Sequence, residues 1–330
     1  MISVVIPLYN KAAHIQRALD SVLAQSCTDC EVIVVNDGST DGSEKIVERY
    51  TDPRIRLIHR EHVNSAGGHA ARNRGIAEAR ADLIAFMDAD DEWLPEHLET
   101  ILRLRGRHPQ CGAYSTAFRV VTPRGKEVIS YAGIPDPPFE GVIPNYFRTV
   151  HGDHAICSSS VGVPKAVFDV CGCFPEGEPR RGDLDMWCRI ALKYPIAFST
   201  YVGAVYRRDA DNRIRNGRPV LAEPRIVRTL ESALVTGDFP DSVARADLLE
   251  YMSMQLVSRA QSMAFHGHLS EARGLLRKAA STRVYRGVYR RWVLLSRLPM
   301  PLFRFVLRVM RWMGAVRCGA RRIVGHREVA

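Results

Sequence analysis

The chain has 330 residues, 46% of them apolar and 25% charged, a composition ordinary for a globular protein and a length sufficient for two domains. Its net charge of +10 comes from one end, because residues 282–330 hold twelve arginines and a single acid, Glu328, so that the rest of the chain sums to about −1. The body of the chain therefore gives no reason to expect nucleic-acid binding.

The sequence contains no run of eighteen apolar residues, so it predicts no segment that simply spans a membrane. The chain starts directly in the apolar stretch Ile2–Ile6, without the charged and apolar regions of a secretory signal. We therefore expect a cytoplasmic protein whose eight cysteines are reduced thiols rather than disulfides.

Short apolar strands alternate with helices over the first hundred residues. Strands are predicted at Ile2–Leu8, Glu31–Val35, Arg54–His59 and Leu83–Met87, with helices at about residues 12–25, up to residue 50, and 70–79. This order is typical of parallel βαβ units, in which ligands bind at the carboxyl ends of the strands. Those ends carry Tyr9 and Asn10, then Asp37, then Asp88 to Asp90, so we expect the acids to meet on one rim.

Three carboxylates, Asp88, Asp90 and Asp91, follow the last of these strands within four residues. Like charges so close repel each other unless a cation or strong donors lie among them. Mg²⁺ binds in proteins through one or two carboxylates together with substrate phosphates, which suits such a cluster. The alternative is a solvated acidic turn in which Asp90 or Asp91 caps the next helix.

Four motifs occur in order over residues 1 to about 100: Val5–Asn10 (VIPLYN), Val34–Asp41 (VVNDGSTD), Asn64–Gly75 (NSAGGHAARNRG) and Phe86–Asp91 (FMDADD). Together they resemble the family 2 glycosyltransferases of the GT-A fold, of the bacterial non-processive type, and the resemblance continues more weakly to about residue 210. It implies an α/β fold, a Rossmann-like nucleotide-binding mixed sheet flanked by helices, here with an α-helical C-terminal extension.

The resemblance also implies a donor and a metal. The donor is a nucleotide-diphosphate sugar, with a UDP-sugar favoured, and the implied donor-binding residues are Pro7, Tyr9, Asn10, Asp37, Arg72, Asp88 and Ala89. The implied metal ligands are Asp88 and Asp90, and the metal is Mg²⁺ or Mn²⁺, which neutralises charge on the departing diphosphate. Arg72 has an equally plain reading as an arginine on a helix surface.

A second carboxylate site lies at Asp183. Apolar residues at helical spacing from Leu184 to Ala191 put Asp183 at the amino-terminal end of a helix, where an aspartate also serves as a simple cap. The resembled family carries Glu-Asp at this point, with the Asp as catalytic base. Here Gly182 replaces the Glu, and Asp209 replaces a histidine of a later Tyr-Arg-x-His segment. On the acceptor side the candidates are Arg180, Arg181 and Asp185.

The chain from Glu223 onward is predicted to be all-helical, with helices over residues 249–263, 269–280, 284–298 and 302–316. In the last of these, Arg304, Arg308 and Arg311 share one face, and Phe303, Val306, Leu307, Met310 and Met313 cover much of the rest. A basic amphipathic helix of this kind is typical of an anionic membrane surface. The alternative is a helix that packs on the catalytic domain with its arginines facing water.

These observations predict a GT-A catalytic domain over residues 1–215, with a nucleotide-sugar-binding half (1–100) and an acceptor half (101–215), followed by a helical accessory region (216–281) and a basic tail (282–330). The predicted activity is an inverting, metal-dependent transfer of one sugar to a hydroxyl of a glycan or lipid-linked acceptor in surface polysaccharide synthesis, at the cytoplasmic face of the membrane. The alternative, suggested by Gly182 and Asp209, is a non-catalytic nucleotide-sugar-binding protein on a membrane surface.

Overall fold

A computed structural model describes residues 1–61, 68–122, 125, 127–129, 133–149, 155–178, 181–208, 222–280 and 282–312. The strands in these residues are β1 (Ile2–Leu8), β2 (Cys30–Asn36), β3 (Ile55–His59), β4 (Leu83–Phe86), β5 (Glu92–Trp93), β6 (Ala113–Val121), β7 (Glu127–Ile129), β8 (Glu140–Val142), β9 (Val161–Pro164) and β10 (Ile196–Arg207). The helices are α1 (Ile15–Leu23), α2 (Ser43–Val47), α3 (His69–Glu78), α4 (His97–Arg107), α5 (Lys165–Cys171), α6 (Gly182–Ala191), α7 (Arg225–Thr236), α8 (Arg245–Phe265), α9 (Leu269–Lys278), α10 (Arg286–Ser296) and α11 (Met300–Trp312).

One mixed sheet runs through the described residues in the order β3-β2-β1-β4-β9-β6-β10-β5, with β7 paired to β6 and β8 to β10. The first four strands are parallel, as the βαβ pattern predicts. The apolar side chains of β1, β2 and β4 are buried on both faces of the sheet, which is why β1 and β2 are nearly continuous apolar runs, while those of the edge strand β3 are partly buried. β9 then enters antiparallel between β4 and β6. The predicted α/β fold with a mixed sheet and flanking helices is confirmed.

Helix α3 lies unusually close to the sheet. A Cβ placed on Gly75 would overlap Val5 Cγ1 of β1, so a residue with no side chain is required where the helix crosses the strand. This close packing brings the first turns of α3, which carry His69 and Arg72, to the end of the sheet where the acidic residues lie. The polar rim therefore depends on a glycine inside a helix.

Residues Ser158–Ser160 form a 3-10 turn directly before β9, which begins at Val161. The Ser159 hydroxyl donates to Asp91, and the Ser160 Oγ lies 3.0 Å from the Ser115 Oγ of β6. The predicted domain boundary at residue 215 and the helix beyond Trp312 lie outside the described residues.

The C-terminal helices share a hydrophobic core with the outer layer of the sheet. In α10 and α11, Trp292, Phe303 and Leu307 are buried, and Trp292 packs edge-on against Phe265 with ring centroids 5.2 Å apart. The expectation that Phe303 and Leu307 enter a membrane is therefore wrong, because these side chains already pack against the protein. Val306 and Met310 also contact this core. Within the described residues, no helix is both long enough and apolar enough to cross a bilayer.

The opposite side of α10 and α11 is basic and partly apolar. We call this surface the basic outer face; its exposed members are Arg286, Arg290, Arg291, Leu294, Arg297, Leu302, Arg304, Phe305 and Arg308. Leu294 is 65% exposed and Phe305 62%. The side chain of Arg311 lies outside the described part of the chain.

Candidate active site

The carboxyl ends of β1, β2 and β4 meet at one rim, as predicted. The loop after β1 is held on the loop after β2 by the side chain of Asn10, which accepts a hydrogen bond from the Thr40 amide at 2.8 Å. The Asn10 amide donates to Ser39 Oγ at 3.1 Å, and Asn10 adopts a left-handed φ of 51° that asparagine tolerates better than most residues. Asn10 therefore shapes this rim through its backbone as well as its side chain.

Asp37 lies at the base of the rim and is 3% exposed. Its amide donates to the carbonyl oxygen of Leu8, and its carboxylate is ion-paired with Arg60. Pro7 contacts the start of α3, while Tyr9 next to it is 43% exposed. Asp37 is thus a buried carboxylate paired with Arg60 at the end of the sheet where the polar residues collect.

The three clustered aspartates have different environments. Asp88 and Asp90 keep partly exposed side chains, 29% and 16%. Asp91 is 1% exposed and accepts hydrogen bonds from Ser159 Oγ and from the Arg207 amide at 2.9 Å. Burial, reinforced by the charges of Asp90 and Asp88, raises the pKa of Asp91 well above its usual value. Asp91 joins the rim to β10 and the 3-10 turn, and Asp88 and Asp90 remain for a ligand.

Two basic side chains that the sequence did not single out, Lys11 and Arg17, lie at Asp90. Lys11 Nζ is 2.8 Å from Asp90 Oδ2, and Arg17 donates to the Asp90 carbonyl oxygen at 2.9 Å. Arg72, which the sequence did identify, is ion-paired with Asp88. Lys11 follows directly on the polar end of β1, and that position is the signal that could have identified it. Ala89 between the two acids is buried.

A divalent metal fits this pair only in company with a ligand. Among the described residues, no group of three or more His, Cys, Asp or Glu side chains is arranged to hold a metal alone. Mg²⁺ and Mn²⁺ nevertheless bind through one or two carboxylates when substrate phosphates complete the coordination. The partly exposed carboxylates of Asp88 and Asp90 supply that number of hard oxygen ligands. The residues therefore fit a metal shared with a diphosphate.

Asp183 lies in the first turn of α6, as predicted, and is half-buried. Burial raises its pKa, and the charge of Asp88 acts in the same direction. The charges of Arg72 and Arg181 and the Leu184 amide oppose this shift. Gly182, the residue before Asp183, packs against His69 in the first turn of α3, and Arg72 one turn later on that helix is ion-paired with Asp88. The structure thus joins the two carboxylate sites that lie about a hundred residues apart in the sequence.

Two of the residues predicted for the acceptor side, Asp185 and Arg181, bond to other side chains of the protein. Asp185 has no exposed side-chain surface, accepts from Thr229 Oγ1 at 2.6 Å and pairs with Arg189 at 2.9 Å. Arg181 has a left-handed φ of 66° and donates to Gln255 at 2.9 Å on α8. Both side chains fasten α6 to the C-terminal helices, so we leave them out of the substrate site. Arg180 and Asp209 lie outside the described residues.

Replacement of Asp185 should therefore lower stability. Asp185→Ala would leave the Thr229 hydroxyl and the Arg189 Nε–H without their buried acceptor, which costs about 1–3 kcal/mol for such groups. We expect a lower midpoint of thermal unfolding, measured by circular dichroism. The exposed Asp241→Ala variant is the control and should melt like the wild type. A wild-type midpoint for Asp185→Ala would mean that α6 and α7 are not held by this carboxylate.

The comparisons with known proteins agree with this geometry. The family model described as Glycosyl transferase family 2 matches residues 3–153. TuaG of Bacillus subtilis, whose name assigns it to teichuronic acid biosynthesis, is 31% identical over 138 residues, which are 41% of this chain and 54% of that protein. The chain covers between 14% and 54% of the length of the curated relatives it matches.

Two solved structures share the fold. TarS 1–349 of S. aureus, in complex with UDP-GlcNAc, superposes with a TM-score of 0.66 at 18% identity and covers 89% of this chain and 90% of its own. The mannosyltransferase PcManGT from Pyrobaculum calidifontis, in complex with GDP-Man and Mn²⁺, superposes with a TM-score of 0.53 at 20% identity. That match covers 95% of this chain and 87% of the PcManGT chain. The chain therefore matches the Glycosyl transferase family 2 model over residues 3–153 and shares its GT-A fold with these two structures.

Proposed function

We propose that the protein is an inverting glycosyltransferase that moves a single sugar from a nucleotide-diphosphate sugar to a hydroxyl of an acceptor. The observation that carries this proposal is the position of Asp183 in the first turn of α6, where the preceding residue, Gly182, packs on His69 of α3, the helix whose Arg72 is ion-paired with Asp88. Burial raises the pKa of the Asp183 carboxyl. A general base works best when its pKa is moved toward the operating pH. This arrangement therefore suits the removal of a proton from an acceptor hydroxyl.

In this mechanism each residue has one task. The Asp183 carboxylate takes the proton of the acceptor hydroxyl as its oxygen attacks the anomeric carbon from the face opposite the leaving group. The bond between that carbon and the diphosphate breaks with its electron pair on the phosphate oxygen, and the configuration inverts. Asp37 and Asn10 face the nucleoside end of the donor, while the cations Lys11 and Arg72 stand near the departing diphosphate.

Asp88 and Asp90 would hold a Mg²⁺ or Mn²⁺ ion together with the donor diphosphate. The ion, when bound, supplies positive charge that stabilises the leaving diphosphate. Support comes from the two partly exposed carboxylates at the end of β4 and from the Mn²⁺ in the PcManGT structure, which has the same fold. The nucleotide sugars bound by TarS and PcManGT support the donor class, and we favour a UDP-sugar.

We further propose a glycan or lipid-linked acceptor in surface polysaccharide synthesis, with the enzyme peripheral on the cytoplasmic face of the membrane. The name of TuaG supports the polysaccharide. The basic outer face supports the location, because it combines exposed arginines with Leu294, Leu302 and Phe305. Arginines attract anionic headgroups, and apolar side chains beside them enter the boundary of the acyl chains.

Removal of two arginines from this face should weaken membrane binding. Each basic residue near an anionic surface contributes about 1 kcal/mol, so Arg304→Gln with Arg308→Gln should reduce partition onto vesicles about 30-fold. The measurement is flotation with vesicles of anionic and of neutral lipids at low salt. Arg49→Gln with Arg80→Gln, two exposed arginines elsewhere, makes the same change in net charge and should float like the wild type. Equal flotation of both double variants would contradict a local membrane face.

The experiment that tests the activity is a screen of nucleotide sugars by thermal shift with Mn²⁺, followed by assays of transfer and donor hydrolysis. A donor present at 100 times its Kd stabilises the folded protein by about 2.7 kcal/mol, which a melting curve detects. The alternative candidate is a non-catalytic nucleotide-sugar binder, which the replacement at Gly182 still favours. It predicts donor binding without turnover in the presence of metal and acceptor extracts, and such a result would replace our proposal.

A further inference from the structure

The imidazole of His69 packs against Gly182, the residue before the proposed base Asp183. A Cβ placed on Gly182 would lie 2.5 Å from His69 Nε2, 2.8 Å from His69 Cε1 and 2.9 Å from Pro175 Cγ. These separations are too short for real atoms, so position 182 accepts no side chain while the imidazole is there. The replacement of the glutamate of the resembled family by glycine is therefore coupled to a histidine on another helix.

The imidazole of His69 is buried without hydrogen bonds to the described residues. It is 3% exposed, and neither ring nitrogen has a hydrogen-bond partner within the described part of the chain. Burial and the charge of Arg72 lower the pKa of His69 to about 3, so the ring is neutral. A neutral imidazole has one N–H donor and one acceptor nitrogen. Buried polar groups without partners are rare in proteins, and each calls for a specific explanation such as a functional role.

The neighbours of the His69 ring include Arg72, which is proposed to bind the diphosphate, and Gly182, which precedes the proposed base. His69 stacks on Phe174 with centroids 6.0 Å apart and planes at 7°. The guanidinium of Arg72, one helical turn later, lies over the same Phe174 ring at 5.7 Å and pairs with Asp88. On the other side the imidazole abuts Gly182, the residue before Asp183. A sugar that joins a diphosphate near Arg72 to an attacking group near Asp183 passes this ring.

We propose that His69 is a substrate-positioning residue whose imidazole hydrogen-bonds a hydroxyl of the donor sugar beside Asp183, in place of the carboxylate that position 182 lacks. The inference rests on the proposed function, since it requires a nucleotide-sugar donor. A carboxylate only accepts hydrogen bonds, whereas the imidazole both donates and accepts. The exchange of one group for the other changes which sugar hydroxyls the site recognises without adding a second negative charge next to Asp183.

The test compares the affinities of a nucleotide sugar and of its parent nucleotide diphosphate. UDP-GlcNAc, UDP-glucose and GDP-mannose are screened on the full chain, and the best binder is titrated alongside UDP or GDP by calorimetry. His69→Ala should weaken binding of the sugar nucleotide about tenfold and leave the affinity for the bare nucleotide unchanged, because a single hydrogen bond to the sugar is lost. An equal change in both affinities, or none, would overturn the proposal.

Two further variants separate hydrogen bonding from packing. His69→Gln keeps a donor and an acceptor and should recover part of the affinity for the sugar, while His69→Phe keeps the stacking on Phe174 and should not. Wild-type preference for the sugar nucleotide in His69→Phe would assign the ring a packing role and overturn the proposal. Melting curves show whether each variant is folded, and if His69→Phe is not, the comparison of Ala with Gln decides.

A restored carboxylate gives an independent check. Gly182→Glu alone should clash with the imidazole and lower the melting temperature, and the double variant His69→Ala, Gly182→Glu should melt higher than Gly182→Glu and regain sugar preference over His69→Ala. A well-folded Gly182→Glu single variant with unchanged sugar preference would overturn the coupling. If the wild type bound no nucleotide sugar, the proposed function would fail as well; if it bound one and His69 had no effect, only this inference would fail.

Discussion

Asp183→Asn should reduce sugar transfer by about 10² to 10⁴, the usual contribution of a general base, while the donor binds as in the wild type. The amide has nearly the shape of the carboxylate, so it preserves the packing of the half-buried side chain in the first turn of α6. It cannot take the proton from the acceptor hydroxyl. Transfer is measured at saturating donor, and donor affinity by calorimetry, so that binding and chemistry are read separately.

The acid limb of the pH profile provides a second measurement of the same residue. Burial, with the charge of Asp88, raises the pKa of Asp183, and Arg72 opposes that shift. The base acts only when deprotonated, so transfer should be full at high pH and fall as the pH drops through a midpoint above the ordinary aspartate value of about 3.9. Arg72→Gln removes an opposing positive charge and should move the midpoint to higher pH.

Asp185→Asn is the matched control for the base. It makes the same chemical change two residues away in α6, at a side chain that pairs with Arg189 and Thr229. We expect lower stability in that control but a fall in transfer much smaller than for Asp183→Asn. Wild-type transfer by Asp183→Asn would assign the proton to another group, and equal losses in both variants would point to damage of the helix rather than loss of a base.

The parallel half of the sheet could be predicted from the sequence because strands buried on both faces leave an unambiguous pattern. Ile2–Leu8 has the predicted bounds, and the polar residues after β1, β2 and β4 meet at the rim as expected. Parallel strands align their carboxyl ends, so the order of elements alone brings these residues together. The sequence of the first four strands was therefore sufficient to predict that the proposed donor-binding residues after β1, β2 and β4 lie together.

Contacts between distant segments were not predictable in the same way. Asp88, Asp90 and Asp91 are alike in the sequence, and only the segments that fold over them distinguish the buried Asp91 from the partly exposed Asp88 and Asp90. Asp91 accepts hydrogen bonds from Ser159, 68 residues later, and from the amide of Arg207. In the same way, helical spacing placed Asp185 near Asp183 but could not show that α7 covers it with Thr229. The spacing of residues within a segment predicts which side chains share a face of a helix or strand. It does not predict which other segment packs on that face.

Helix α11 shows the same limit. Its spacing correctly indicated an apolar face and an arginine face, but a membrane and a protein core bury apolar side chains for the same physical reason. The structure packs Phe303 and Leu307 inward and leaves Leu302 and Phe305 exposed beside Arg304 and Arg308. The proposed membrane face is therefore rotated from the one that the sequence indicated, and it is narrower.

Asp90→Ala should abolish the metal dependence of donor binding. In the wild type we expect Mn²⁺ to tighten the nucleotide sugar at least about tenfold over the same titration in EDTA, since the ion joins a carboxylate to the diphosphate. The variant removes one of two proposed protein ligands, so this ratio should approach one. Transfer should fall on the order of 10², the cost of losing one group that stabilises developing charge.

The ion pair between Asp90 and Lys11 affects how the donor affinities of Asp90→Ala are interpreted. Asp90→Ala also removes a negative charge 2.8 Å from the Lys11 ammonium, and without that charge the rim attracts the diphosphate more strongly. In EDTA the variant should therefore bind the donor at least as tightly as the wild type, although it transfers sugar far more slowly. The ratio of affinities with and without metal reports the metal site, and the affinity alone does not. Glu48→Ala, which removes an exposed carboxylate at the carboxyl end of α2, is the control with the same change in charge and should keep the wild-type ratio. An unchanged ratio in Asp90→Ala would exclude Asp90 as a ligand, and a ratio of one in the wild type would remove the metal from donor binding.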